Sequence, residues 1–231
     1  MIDLKGVNQL YGGSQILWDL DLTMEPGSCT CILGRNGVGK TTLLKCLMGL
    51  LKISSGSILI EGQDVTTCPA ELRPRLGVAY VPQGRDIFPQ LTVEENLRTG
   101  LAGRTDGMKH IPELIFELFP VLASMMNRRG GDLSGGQQQQ LAIGRALVIE
   151  PKMLILDEPN EGIQPNIVTQ IGDVIQHLNQ EYYTTVLLVE QKLAFARRVG
   201  KDFRIMEKGR MVASGQMSEL NDDLVAEHLA V

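Results

Sequence analysis

Two kinds of apolar pattern alternate along the chain. The short continuous run Cys29–Leu33 reads as a buried strand, 153–156 and 186–189 read as strands buried on both faces, and 57–61 and Val78–Val81 read as further short strands. Between them apolar residues recur every three or four positions. Leu43, Leu44, Leu47, Met48 and Leu51 predict a helix over 42–51, and similar spacing predicts helices over 111–122 and 136–148. Residues 203–207 and 211–213 flank Lys208-Gly209-Arg210 and predict a hairpin with a glycine in its turn. Strands alternating with helices imply an α/β fold around a mainly parallel sheet. The stretch 88–150 differs, with helical spacing and no strand pattern. It reads as a helical subdomain inserted into an α/β core formed by 1–87 and 151–231, within one domain spanning 1–231.

The 231 residues are 43% hydrophobic and 21% charged, an ordinary globular balance that excludes a disordered chain, a collagen and a coiled coil. No apolar run approaches the roughly 18 residues of a membrane helix, so the chain is expected not to cross a bilayer. Met1-Ile2-Asp3-Leu4-Lys5 lacks the charged and apolar regions of a secretory leader. The net charge of −5 and the absence of any Lys/Arg run disfavour nucleic acid as a partner. Cys29, Cys31, Cys46 and Cys68 are joined by no Cys/His pair at zinc spacing. Cys29 and Cys31 would share one strand face, and the four read as reduced, buried thiols.

Chemistry enters at Gly34-Arg35-Asn36-Gly37-Val38-Gly39-Lys40-Thr41, which fits G-x-x-x-x-G-K-[ST] between a predicted strand and a predicted helix. The glycines let backbone N–H groups wrap closely around phosphate oxygens, and the helix N-terminus adds positive potential. Lys40 is then placed for the β- and γ-phosphates and the Thr41 hydroxyl for Mg²⁺. Such a loop needs an acidic partner. The run 153–156 ends in Asp157 and Glu158, so a buried strand delivers Asp157 to the sheet edge, where it can hold Mg²⁺ directly or through water. Glu158 is one residue further on, placed to accept a proton from an attacking water.

Leu133-Ser134-Gly135-Gly136-Gln137 precedes Asp157 by 157 − 134 = 23 positions, counted from Ser134. A serine and two glycines opening a helix offer an anion a hydroxyl, accessible N–H groups and a positive helix end, although the same residues also suit a plain helix cap. In this order and spacing the three motifs resemble the ATP-binding cassette ATPases, over essentially the whole chain. The resemblance implies a P-loop NTPase core, an N-terminal antiparallel β part and the inserted helical subdomain. It implies that Ser134, Gly135, Gly136 and Gln137 face outward and complete the ATP site of a second subunit. Tyr11 takes the place of the aromatic that stacks on adenine, Thr42 closes the phosphate loop, and Gln83 matches the glutamine that senses Mg²⁺ and the γ-phosphate. Residues 160–165 match the loop that crosses the dimer interface. The candidate catalytic residues are Glu158, Gln191 and Lys40; Thr41, Gln83 and Asp157 are the candidate metal residues.

Within the family, residues 34–43, 80–89 and 161–165 look like bacterial importers of branched-chain amino acids and amides. Arg128-Arg129-Gly130-Gly131-Asp132, the run Gln137-Gln138-Gln139-Gln140 and Glu117-Leu118-Phe119-Pro120-Val121-Leu122 resemble the urea-importer ATPase most. Three residues depart from the common pattern. Asn160 stands where a small hydroxyl residue is usual, Gln164 where an aspartate is common, and Gln191 where many relatives have a histidine. A glutamine keeps a donor for the γ-phosphate but cannot carry a proton near neutral pH. These departures bear on turnover more than on nucleotide binding.

The resemblance therefore implies the ATP-hydrolysing subunit of a bacterial importer, using ATP and Mg²⁺, peripheral on the cytoplasmic face of the inner membrane. The implied partners are a second ATP-binding subunit, identical or, in the cell, a different chain, two transmembrane permeases and, indirectly, a periplasmic substrate-binding protein. Urea or a short amide is the expected cargo, with branched-chain amino acids as the alternative. A cassette ATPase of DNA repair or translation fits poorly with the length and acidic balance. A non-catalytic nucleotide-binding module is opposed by the joint presence of Lys40, Gln83, Asp157 and Glu158. A GTPase is opposed by the lack of an Asn-Lys-x-Asp motif.

Overall fold

The chain opens with a long antiparallel hairpin, β1 (Ile2–Tyr11) and β2 (Ser14–Met24), turning at Gly12-Gly13. β3 (Cys29–Leu33) and α1 (Lys40–Leu47) follow, then β4 (Ser55–Ile60), β5 (Gln63–Asp64), α2 (Leu72–Arg75) and β6 (Val78–Val81). Four helices come next: α3 (Val93–Gly100), α4 (Leu114–Leu118), α5 (Pro120–Ala123) and α6 (Gly135–Leu147). The chain then alternates through β7 (Met153–Asp157), α7 (Pro165–Glu181), β8 (Thr185–Glu190) and α8 (Leu193–Val199). It ends with the hairpin β9 (Asp202–Glu207) and β10 (Arg210–Gln216) and with α9 (Asp222–His228). This computed structural model describes residues 1–229.

Two sheets result. One is antiparallel, in the order β2-β1-β4-β5. The other runs β10-β9-β3-β8-β7-β6, parallel except for β10. The central strands are continuous apolar runs because each face meets a different core. Ile32, Met153, Ile155, Leu187 and Val189 pack towards α1 and the antiparallel sheet, with Leu43, Leu44 and Leu47 between the two. Cys29, Cys31, Leu33, Leu154, Leu156 and Leu188 face the other way, against α6, α7 and α8. Cys29 and Cys31 do share one face.

Several elements differ from the pattern-based expectation, each for a local reason. The helix predicted to reach Leu51 stops at Leu47, because Gly49 takes φ +72° and its N–H bonds to the Cys46 carbonyl, a left-handed termination. The single helix predicted over 111–122 is broken in two. Pro120 starts α5, and Phe119 before it sits at φ −132°, ψ 71°, outside the helical region. The turn predicted at Lys208-Gly209 is present, with both residues at positive φ, as a two-residue hairpin loop requires. Residues 88–150 hold α3 to α6 and, among the described residues, no strand beyond one isolated bridge between Thr92 and Arg129.

Candidate nucleotide site

The loop 34–39 joins the C-terminal end of β3 to the N-terminus of α1. Gly39 caps that helix at φ +109°, and a Cβ there would come within 3.0 Å of Met206 and 3.2 Å of Leu17, so the turn is shaped for glycine. Lys40 is only 5% exposed. Its Nζ donates to the Gly34 carbonyl at 2.8 Å and the Arg35 carbonyl at 2.9 Å, and lies 3.5 Å from Glu158 Oε1. The loop thus holds the ammonium at the floor of an open recess of ≈ 240 Å³, lined by Asn36, Gly37, Gly39, Lys40, Thr41, Thr42, Gln83, Glu158 and, from β2, Ile16. Gly34, Arg35 and Val38 shape the loop without lining the recess. Tyr11 does not line it either: it ends β1, 46% exposed, in the hairpin that also carries Ile16.

Asp157 ends β7 with its carboxylate buried. Burial pushes its pKa above the ordinary carboxylate range, and so does the neighbouring Glu158, while the Thr41 hydroxyl, Lys40 and Tyr80 oppose the shift. Tyr80 Oη approaches Asp157 Oδ2 at 3.5 Å, and Oδ1 has no hydrogen-bond partner among the described residues. A buried carboxylate oxygen left open beside a threonine hydroxyl fits a hard cation with oxygen ligands. Among the described residues no group of three or more His, Cys, Asp or Glu side chains could cage a metal. Mg²⁺ held here by Thr41 and Asp157 would take its remaining ligands from phosphate and water, as this cation commonly does.

Glu158 sits at φ +48°, in the left-handed region unusual for a residue with a side chain. Its N–H donates to the Val189 carbonyl at 2.9 Å, which turns the side chain back towards the loop. Gln191 Nε2 donates to Glu158 Oε1 at 2.6 Å and to Asn36 Oδ1 at 2.7 Å. Gln83 Nε2 donates to Glu161 Oε2 at 3.0 Å and, more weakly, approaches Glu158 Oε2 at 3.4 Å. Lys40, Gln83 and Glu158 therefore line one recess, and Gln191, 151 positions from Lys40, is tied to its edge through Glu158 and Asn36. The sequence reading did not single out Tyr80, Glu161 or Glu190. Tyr80 had a signal in its position, one residue before the end of a strand beside β7. Glu161 had its place in the 160–165 loop, and Glu190 its place at the end of the run 186–189, just before Gln191.

Ser134 to Gln137 lie elsewhere. Ser134 caps α6: its Oγ accepts from the Gln137 N–H at 3.4 Å, and the Ser134 N–H donates to Gln137 Oε1 at 2.9 Å, a capping box. They line a second recess of ≈ 470 Å³ with Gln140 and Gln164, and it shares no lining residue with the first. Gly136 packs so closely on α7 that a Cβ would come within 2.9 Å of Ile167. Within one chain, then, the Ser-Gly-Gly segment is not brought to the phosphate loop.

The family model described as ABC transporter matches residues 17–161. Over 213 residues, 92% of this chain and 91% of the relative, the sequence is 40% identical to the high-affinity branched-chain amino acid transport ATP-binding protein BraG of Pseudomonas aeruginosa. The chain belongs to the ABC transporter family. This cassette is also 37% identical to a probable branched-chain amino acid transport ATP-binding protein, LivF, of Archaeoglobus fulgidus, covering 95% of this chain and 94% of the relative. A nucleotide-free ATP-binding cassette from an ABC transporter superposes with TM-score 0.82 at 26% identity, over 94% of this chain and 91% of that one. A dimeric cassette in a post-hydrolysis state, bound to ADP and Pi, superposes with TM-score 0.86 at 25% identity, over 94% and 99%. The cassette has the P-loop NTPase fold of ABC ATPases and is an ATPase. No helix among its described residues is long and apolar enough to cross a membrane.

Proposed function

We propose that the cassette powers a bacterial importer by binding and hydrolysing ATP between two ATP-binding subunits. The observation that carries this reading is the convergence of Lys40, Gln191 and Gln83 on Glu158 in the phosphate-loop recess. Backbone N–H groups of 37–41 and the Lys40 ammonium bind the phosphates of ATP, and Tyr11 stacks on adenine. Thr41 and Asp157 would hold Mg²⁺, which would supply charge neutralisation at the phosphates. Glu158 takes a proton from the water that attacks the γ-phosphorus; the new O–P bond forms as the bond from that phosphorus to the β–γ bridging oxygen breaks, and ADP leaves with the electron pair of the broken bond. Ser134, Gly135, Gly136 and Gln137 serve the ATP of the opposite subunit. That division of labour is supported by the separation of the two recesses in one chain.

Gln83 follows β6 and leads into 88–150, so its movement reaches the helical subdomain. The groove between that subdomain and the core, ≈ 550 Å³ and lined by Leu50, Pro74, Tyr80, Phe88 and Ile149 among others, is of a kind to receive a permease segment. Partner permeases, a substrate-binding protein and a place on the cytoplasmic face of the inner membrane belong to the same reading. For cargo we propose urea or a short amide, supported by the stretches at 117–122, 128–132 and 137–140. Branched-chain amino acids are the second reading, favoured by the names of the relatives at 40% and 37% identity. Uptake of labelled urea against labelled leucine in a strain lacking this subunit decides between them. Loss of leucine uptake alone overturns the first.

A further inference from the structure

Asn160, in the turn after β7 and the residue that departs from the family's usual small hydroxyl, has no solvent exposure, and Glu190, the last residue of β8, has 2%. Asn160 Nδ2 donates to Glu190 Oε1 at 3.2 Å. Lys192 Nζ donates back to the Asn160 carbonyl at 3.1 Å. The Glu158 N–H donates to the Val189 carbonyl at 2.9 Å, and Gln191 Nε2 reaches Glu158 Oε1 at 2.6 Å. Residues 158–160 and 189–192 are thus stitched together at four points. Glu190 stands directly before Gln191, and Asn160 stands two residues after Glu158.

A carboxylate buried this deeply is costly unless a donor and a positive charge compensate it, and an apolar pair would hold the two loops at no smaller stability. What the polar pair adds is direction. The hydrogen bond fixes how far the turn after Glu158 stands from the turn carrying Gln191. A serine or threonine hydroxyl at 160 ends one bond short of the Asn160 nitrogen and leaves Glu190 without that donor. Resting on the proposed role of Glu158 in hydrolysis, we infer that Asn160 and Glu190 form a positioning pair. The pair touches no nucleotide and holds Glu158 and Gln191 in the relative placement that catalysis needs.

The test measures kcat, KM for ATP and melting temperature of the purified full chain in its ATPase-competent state. Asn160→Ala and Glu190→Ala should each lower kcat about tenfold or more, with KM for ATP changed little. Asn160→Asp, which sets two carboxylates against each other, should lower it likewise. The double variant Asn160→Asp with Glu190→Gln reverses the direction of the hydrogen bond and should recover most of the wild-type kcat. Wild-type kcat in both alanine variants overturns the pair. So does a double variant that regains the melting temperature without kcat, or that regains neither. Glu158→Gln run alongside separates the two readings. If it hydrolyses ATP at the wild-type rate, the base assignment fails; if it is inactive while Asn160→Ala is fully active, only the positioning pair fails.

Discussion

Gln191 Nε2 bridges Glu158 Oε1 at 2.6 Å and Asn36 Oδ1 at 2.7 Å, so both hydrogens of its amide are engaged within the cassette. The family resemblance implies a donation from Gln191 to the γ-phosphate. In this arrangement that donation requires one of the two bonds to be given up. The bond to Asn36 joins neutral groups and is the weaker of the two, since a charged acceptor roughly doubles the strength of a hydrogen bond. Nucleotide entry can therefore take the hydrogen now spent on Asn36 and leave Glu158 held.

Gln191→Ala removes the donor that orients Glu158. A hydrogen bond to a charged group contributes about 1.5–3 kcal/mol, so turnover at saturating ATP should fall by about 10–100-fold. Gln191→His restores a ring N–H in the same place and should keep most of the activity. It should also acquire a pH dependence near neutrality that glutamine cannot have. An alanine variant turning over at the wild-type rate would show that Lys40, Gln83 and Mg²⁺ suffice to place Glu158.

Glu158→Gln keeps the shape of the side chain but cannot accept a proton. ATP should still bind, while hydrolysis should slow by about 10²–10⁴, the usual contribution of a general base. The variant should accumulate as an ATP-bound dimer, read by light scattering against the wild type with ATP. Unchanged turnover would remove Glu158 from the role of base.

Tyr11 reaches the end of β1 half-exposed and makes no lining contact with the phosphate recess, as an adenine platform beyond the phosphates would. Tyr11→Ala should weaken ATP by about 1–3 kcal/mol, the range for stacking of a base on an aromatic ring. Stacking tolerates any base, so GTP binding should weaken in parallel. Calorimetric titration with both nucleotides tests this, and an unchanged ATP affinity would leave Tyr11 as a strand residue only.

Ser134 has two roles that substitution can separate. It caps α6, and in the proposed dimer it faces the phosphates of the partner's ATP. Ser134→Ala should lose the cap, costing about 0.5–2 kcal/mol of stability. Ser134→Asp keeps a strong cap and places a negative charge at a helix N-terminus, which the fold favours. Against phosphate the same charge repels. The aspartate variant should therefore melt like the wild type yet lose ATP-dependent dimerisation and turnover. Retained activity in this variant would show that the segment is a cap and nothing more.

The parts of the fold legible in the sequence are those where local pattern and tertiary role coincide. The apolar runs at β3, β7 and β8 read as buried strands because both faces of the large sheet are covered. The phosphate loop was legible because its glycines serve local backbone geometry. α3 and α7 lie outside the helices that apolar spacing picks out, although each carries a signal. Thr92 with Glu95 forms a capping box, and Pro165 opens α7 ahead of Ile167, Val168, Ile171, Val174, Ile175 and Leu178. Gln83 with Glu161, and Asn160 with Glu190, were not legible. Each pair spans 30 or more positions and depends on where two strands end, which no local pattern encodes.

The four cysteines offer a test of the packing around the phosphate loop. Burial pushes the Cys29 and Cys46 thiols up to about 12 and Cys31 well above its ordinary value. Cys29 and Cys31 lie in β3 beneath α8, where Cys31 Sγ faces the Ala196 carbonyl at 3.8 Å, and Cys46 is buried in α1. Cys68 is partly exposed. Because the thiolate is the reactive form, a disulfide reagent at mildly alkaline pH should label one thiol quickly in the native chain and all four in denaturant. Cys68→Ser should abolish the fast phase. Labelling of Cys46 then requires α1 to open, so its slow rate measures the local stability of the helix that carries Lys40 and Thr41. ATP with Mg²⁺ should slow that phase further while leaving Cys68 unaffected. A Cys46 that reacts as fast as Cys68 would mean that α1 is not packed between the two sheets as the structure has it.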